Sequence, residues 1–245
     1  MEPQQTHNTH DHYFRESVEH PEIIKDICRL TIPKKLLSIL DLTKLEIVHD
    51  VWVDNDLSIH YADVLYRARI KGKRQWVYLL FEHKSRINAD VSYQILSYMM
   101  QIWEEYRKQS RRNLNKHPLV ISTVLYHGYK PWKRCNTIKD ITEVLTDAED
   151  YVPEFRAKVF DVSELCETQL GKVSFYAQVF LISLRYSYHP EKWEILPELI
   201  QLYRKATGKQ REYLSVSFKY ILGLMNIGRK NSFLQRQGRM MVGMS

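Results

Sequence analysis

The sequence contains little glycine, proline or cysteine. It has 8 glycines and 8 prolines in 245 residues, which excludes collagen-like and linker-rich proteins. Its three cysteines, Cys28, Cys135 and Cys166, form no CxxC pair, so a reducing compartment is expected rather than a disulfide framework. No apolar run approaches the roughly 20 residues that span a bilayer, and the first ten residues lack the pattern of a secretory signal. We therefore predict a cytoplasmic protein that does not bind membranes.

The charge balance favours an anionic partner. Hydrophobic residues make up 44% and charged residues 27%, which is typical of a globular domain, and 36 Lys and Arg against 29 Asp and Glu give a net charge of +7. A basic surface favours polyanions, because neutralised phosphates release their counterions. One acid-free cluster indicates a DNA-binding surface, although a solvated face is the alternative. Its candidate DNA-binding residues are Arg107, Lys108, Arg111 and Arg112.

Hydrophobic periodicity predicts an α/β core. Strands are expected at 46–53, 61–70, 76–81 and 119–126, with a hairpin turn at Gly72 between the second and the third. A long helix over 89–111 separates the last two strands, which indicates a β-α-β crossover and at least one parallel pair. The apolar pattern over 13–30 predicts two helices interrupted at Pro21.

Three segments are expected along the chain. Residues 1–10 are polar and His-rich and are predicted to form a flexible arm. Residues 11–150 form the α/β core, and residues 151–245, where only helical patterns follow, form a helical extension.

Acids and a lysine fall at strand ends. Asp63 opens the strand before Gly72, and the strand after it runs into Glu82, His83 and Lys84. Glu82 and Lys84 are two residues apart and share a face, and the hairpin register brings Asp63 beside them. Two carboxylates can hold a hard cation, for which Mg²⁺ is the first candidate and Mn²⁺ or Ca²⁺ are alternatives. Such a cation activates water and polarises a phosphate, while the lysine stabilises developing charge.

The helix that follows carries two more polar candidates. Gln94 and Tyr98 form an i, i+4 pair on one face, placed over the strand ends. They could brace the lysine or contact a phosphate, or they could be an ordinary polar flank of the helix.

The order of these motifs resembles the Rpn family of recombination-promoting nucleases, also called YhgA-like transposases, within the PD-(D/E)XK nuclease superfamily. The stretches that carry the resemblance are HDHYF at 10–14, YADVLYRARI at 61–70, YLLFEHKS at 78–85, QILSYMMQIWE at 94–104 and VLYHGYKPW at 124–132.

The resemblance implies a restriction-endonuclease-like core, a mixed sheet flanked by helices, and a metal-dependent DNA endonuclease linked to recombination of mobile DNA. It makes Asp63 and Glu82 metal ligands, with the backbone carbonyl of His83, makes Lys84 the catalytic lysine and gives Gln94 a supporting role. The superfamily often adds an acid from its first helix, for which Glu16 is the first candidate and Asp11 the second.

Two other readings stay open at this stage. The first is a catalytically inactive DNA-binding or transposase-associated protein on the same fold. The second is a transposase with a carboxylate triad on an RNase-H-like fold, for which Asp140 or Glu143 would supply a distant third acid without a strand beside it. A homo-oligomer is compatible with all three.

Overall fold

A mixed five-stranded sheet forms the centre of the chain. The computed structural model describes residues 4–48, 64–109, 116–133, 136–187 and 195–224. Within them the strand order follows the chain order, from the first strand at one edge to the fifth at the other. The strands are β1 Leu40–Ile47, β2 Val64–Ile70, β3 Trp76–Lys84, β4 Leu119–Tyr126 and β5 Val159–Asp161.

The type of pairing changes once across the sheet, from antiparallel to parallel at β3. β1 pairs antiparallel with β2, and β2 with β3, whereas β3–β4 and β4–β5 are parallel. Gly72 lies in the β2–β3 turn with a φ of 71°, a left-handed conformation that glycine adopts without a Cβ penalty. The α/β fold with a mixed sheet, the hairpin and the crossover are thereby confirmed.

The described residues contain eight α-helices. They are α1 Gln4–Val18, α2 Pro21–Thr31, α3 Lys34–Leu37, α4 Val91–Gln109, α5 Glu167–Leu170, α6 Phe175–Tyr186, α7 Ile195–Lys205 and α8 at 208–224. The predicted interruption at Pro21 is confirmed, since α2 begins at that residue. Proline fits the first position of a helix because its missing N–H has no intrahelical partner there.

Two strands differ from the expectation. β1 begins six residues before the predicted strand, because Leu40 and Asp41 already pair with Ile70 and Arg69; an irregularity of register between Asp41 and Glu46 disturbs its alternation. β5 was not predicted at all. It has three residues, too few for a period-2 pattern.

The α4 helix covers one face of the sheet. Ile95, Tyr98 and Ile102 of α4 pack with Tyr78 and Leu80 of β3 in one buried cluster. Since every second strand residue shares a face, Glu82 and Lys84 belong to the face of β3 that α4 covers. The seven inner residues of β3 are all buried, as expected for a central strand.

Two compact units divide the chain. One is Ile27–Asp161, which contains the sheet and α4; the other combines Met1–Asp26 with Val162–Ser245. In the second unit Tyr13 stacks on Tyr220 with ring centroids 4.0 Å apart, and His10 hydrogen-bonds the Tyr220 hydroxyl at 2.7 Å. The three segments expected from sequence stay a prediction. No helix among the described residues is long and apolar enough to cross a membrane.

Candidate active site at the carboxyl end of the sheet

A buried carboxylate lies near the carboxyl end of β3. Glu82 is only 3% exposed, and its Oε1 accepts hydrogen bonds from Lys84 Nζ at 2.7 Å and from Gln94 Nε2 at 2.7 Å. A buried carboxylate is costly unless it is paired and hydrogen-bonded. The lysine and the amide together meet that requirement, so the three side chains form one unit.

The helix supplies the amide donor from a fixed position. Gln94 is on the first turn of α4, and the same Nε2 donates to the Tyr98 hydroxyl oxygen at 2.8 Å, one turn further on. An amide nitrogen has two hydrogens, and here both are used. Tyr98 is 3% exposed within the cluster beneath α4, so packing of the phenol orients the glutamine.

The lysine connects this buried group to solvent. Its side chain is 19% exposed, against 3% for Glu82. Part of the lysine side chain is therefore accessible from solvent, while its ammonium binds the buried carboxylate. An acid, a cation and an amide, all held at the end of a central strand, can bind a hard metal ion and a phosphate.

His83 is directed away from this group. Neighbouring strand residues alternate between faces, and its ring stacks on His127 with centroids 5.3 Å apart and an angle of 13° between planes. The side chains beside Glu82 therefore offer oxygen and lysine nitrogen, not imidazole. The described residues contain no cluster of three His, Cys, Asp or Glu suited to a metal.

The neighbouring strand ends add a second buried acid. Lys84, Tyr126 and Asp161 lie opposite one another on β3, β4 and β5. Asp161 is 7% exposed and accepts a hydrogen bond from the backbone N–H of Trp132 at 2.9 Å. Burial, and secondly the negative charge of Asp161, raise the pKa of the Tyr126 hydroxyl, which donates to Lys130 O at 2.6 Å.

Gly128 lies where the chain after β4 passes close to the chain after β3. A Cβ at Gly128 would lie 2.5 Å from the carbonyl oxygen of Ser85 and 2.2 Å from the Tyr126 hydroxyl, closer than any side chain tolerates. Only glycine lets the chain after β4 pass so near the chain after β3.

One family model matches most of the chain. The model of the family described as "Putative transposase, YhgA-like" matches residues 8–213, which include every described residue of the site. The chain belongs to this family.

Curated relatives of this YhgA-like protein carry nuclease names. It is 27% identical over 133 residues to "Recombination-promoting nuclease RpnD" of Escherichia coli O157:H7, covering 53% of this chain and 50% of the relative. It is 23% identical over 138 residues to "Recombination-promoting nuclease RpnA" of Escherichia coli strain K12, covering 55% and 46%. The chain spans about half the length of these two relatives.

Two of the relatives are named as inactive. The chain is 26% identical over 97 residues to "Putative inactive recombination-promoting nuclease-like protein YjiP" of Escherichia coli strain K12, covering 40% of this chain and 94% of the relative. No solved structure matches the chain.

The YhgA-like fold brings together part of the predicted site. Glu82, Lys84, Gln94 and Tyr98 form the hydrogen-bonded group described above. Asp63 lies outside the described residues. The residue that follows it in the sequence, Val64, pairs across the hairpin with Phe81, the residue before Glu82.

The remaining predicted residues stay predictions. Glu16 is exposed and Asp11 half-buried on α1, in the unit that does not contain Glu82. Arg107 and Lys108 are exposed on the last turn of α4, where Lys108 Nζ lies 3.9 Å from both Glu104 and Glu105, and Arg111 and Arg112 lie outside the described residues.

Sequence reasoning missed Asp161 and the closeness of Gly128 to Ser85. Asp161 ends a strand too short to show a pattern, and the approach of Gly128 is a contact between segments far apart in the chain. The only local signal was the sequence Tyr126-His127-Gly128, which ends the β4 pattern.

Proposed function

We propose that this YhgA-like protein is a metal-dependent DNA endonuclease that hydrolyses phosphodiester bonds and promotes recombination linked to mobile DNA. One observation carries the proposal: a buried Glu82 carboxylate held by Lys84 and Gln94 at the carboxyl end of a central strand. The nuclease names of two relatives support it.

The donor set fits a hard divalent cation. Glu82 contributes a carboxylate, Asp63 is proposed as the second, and the backbone carbonyl of His83 is a third oxygen donor. All three are oxygen ligands, which favour Mg²⁺ or Mn²⁺ over zinc. A cation bound there supplies Lewis-acid polarisation of the scissile phosphate and lowers the pKa of a coordinated water.

The chain's own residues have separate tasks. Lys84 keeps a positive charge beside the carboxylate and stabilises the negative charge that develops on the phosphate. Gln94 holds the Glu82 carboxylate in one orientation and is itself held by Tyr98, so it acts as a positioning residue. Arg107 and Lys108, with Arg111 and Arg112, are proposed to bind the DNA backbone.

Plasmid cleavage by the purified protein tests the proposal. We expect nicking in Mg²⁺, none in EDTA, and a loss of about a hundredfold or more in rate for Glu82→Gln, Lys84→Gln and Asp63→Asn, which is ~3 kcal/mol of transition-state stabilisation. Glu104→Gln is the matched control, since it removes an exposed acid of α4 and should keep full activity. Cleavage that persists in EDTA, or in Glu82→Gln, would contradict the proposal.

The second candidate is an inactive DNA-binding protein on the same fold. The two relatives named as inactive are the observation that favours it. The presence of Glu82, Lys84 and Gln94 in one hydrogen-bonded group favours the enzyme, since nothing in DNA binding alone requires a buried acid there. Wild-type protein that binds DNA in Mg²⁺ without cutting it would decide for the second candidate.

A further inference from the structure

A strongly basic surface lies at the opposite end of the β2–β3 hairpin from Glu82. Residues 34–48 and 64–76 contain eight Lys and Arg and only two acids, Asp41 and Glu46. Glu46 binds the Arg67 guanidinium at 2.7 Å, and Asp41 interacts electrostatically with Lys44 and Lys71. The two acids offset two of the eight positive charges, and we set Arg67 and Lys44 aside for that reason. We call the remaining positive group at the turn the hairpin surface. It consists of Lys34, Lys35, Arg69, Lys71, Lys73 and Arg74.

Two backbone segments hold the hairpin surface together. Lys71 donates its backbone N–H to Ile39 O at 2.8 Å and its Nζ to Ser38 O at 2.8 Å, which ties the turn to the end of α3. Lys34 and Lys35 of α3 are exposed, as are Lys71, Lys73 and Arg74 at the turn. The positive charges therefore belong to one rigid end of the sheet rather than to separate loops.

An aromatic ring orders the arginine beside them. The Arg69 guanidinium lies 3.4 Å from the centroid of the Trp76 ring, and it also donates to the backbone carbonyl of Arg74. A guanidinium stacked on an aromatic face keeps its edge for hydrogen bonding, and less side-chain entropy is lost when it binds an anion. Arg and Lys side chains are among the groups that proteins use to contact the phosphate backbone of DNA.

We infer that the hairpin surface binds the backbone of double-stranded DNA at a distance from the cleaved bond; this inference rests on the proposed function. β3 runs from Trp76 beside this surface to Lys84 at the candidate site. Eight steps of about 3.3 Å separate them by ~26 Å. At about 3.4 Å per base pair this is roughly eight base pairs of duplex. A duplex cleaved at Glu82 therefore reaches the hairpin surface only if it extends at least that far to one side.

Binding measured in EDTA tests this without depending on cleavage. The variant is Lys71→Gln/Lys73→Gln/Arg74→Gln, and the probes are a fluorescent 30-base-pair duplex and a hairpin oligonucleotide with a six-base-pair stem. The matched control is Lys172→Gln/Lys209→Gln/Lys219→Gln, which removes three exposed charges from the other unit. Circular dichroism checks that all proteins are folded.

We expect the hairpin variant to bind the long duplex about tenfold or more weakly at 50 mM salt. Its salt dependence should fall by up to roughly 2.7 units of slope, about 0.9 for each of three lost phosphate contacts. A six-base-pair stem cannot span ~26 Å and so cannot reach the hairpin surface and the candidate site together, and wild-type protein should bind it more weakly than the long duplex. The control variant should keep most of its affinity for both probes.

Three results would overturn the inference. They are unchanged binding of the long duplex by the hairpin variant, an equal loss in the control variant, and wild-type protein that binds the short stem as tightly as the long duplex. Wild-type protein that binds the long duplex through this surface but never cuts it would overturn the nuclease proposal alone.

Discussion

The bond between Lys84 and Glu82 allows a stability prediction that requires no knowledge of activity. Lys84→Met keeps the aliphatic stem of the side chain and removes its ammonium, so the buried Glu82 carboxylate loses that positive charge and keeps the hydrogen bond from Gln94. Removing one partner of a buried ion pair costs about 3–5 kcal/mol, and a hydrogen bond to a charged group contributes about 1.5–3 kcal/mol. Since Lys84 is 19% exposed, water can enter beside the carboxylate. We therefore expect the lower end, about 2–3 kcal/mol.

Urea unfolding followed by tryptophan fluorescence measures this loss in the free energy of unfolding. Thermal unfolding gives a second measurement: at about 2–4 °C for each kcal/mol in a chain of this size, the melting temperature should fall by roughly 4–12 °C. Lys108→Met is the matched control. It makes the same substitution in a lysine that is 65% exposed and 3.9 Å from Glu104, and its cost should stay below about 0.5 kcal/mol.

A double-mutant cycle separates the pair from its surroundings. Glu82→Gln removes the buried charge, so Glu82→Gln/Lys84→Met should be less destabilised than the sum of the two single changes, with a coupling energy of about 1.5–3 kcal/mol. If Lys84→Met unfolds like wild type, or if the two changes simply add, then the ion pair does not stabilise this site and the description of Glu82 as a lysine-compensated carboxylate is wrong.

Two other predictions concern the surroundings of the site and the thiols. Gly128→Ala should destabilise the protein by about 1–3 kcal/mol, because the new Cβ would collide with the carbonyl oxygen of Ser85, whereas Gly223→Ala, with open space around it in a helix, should be neutral or slightly stabilising by thermal unfolding. Hydrogen bonds, first from Thr168, lower the pKa of the exposed Cys166 thiol, while burial raises the pKa of Cys28 to about 12. A thiol reagent at pH 7.5 followed by peptide mapping should modify Cys166 in the folded protein and Cys28 only after unfolding; equal modification of both in folded protein would contradict this.

Local pattern was enough to predict much of the fold. The apolar run at 76–81 predicts a strand covered on both faces, and β3 is buried in that way. A long helical pattern between two such runs predicts a parallel crossover, because a connection of that length cannot be a hairpin, and β3 and β4 are indeed parallel. The spacing of Glu82 and Lys84 predicts a shared face for the same local reason, since strand side chains alternate strictly.

The remaining features depend on contacts between distant segments, which no local pattern encodes. The burial of Glu82 to 3% comes from α4 packing over the end of β3, and the 2.7 Å bond from Gln94 joins residues twelve apart in the chain. β5 is defined by the pairing of three residues with the edge of β4. That pairing brings Asp161, which is buried, next to Tyr126 at the end of β4. Residue type and spacing determine which functional groups lie on one face of a strand or helix, because that face is fixed by the local backbone geometry. Distance, burial and charge compensation were decided by packing, because they depend on where the rest of the chain comes to lie.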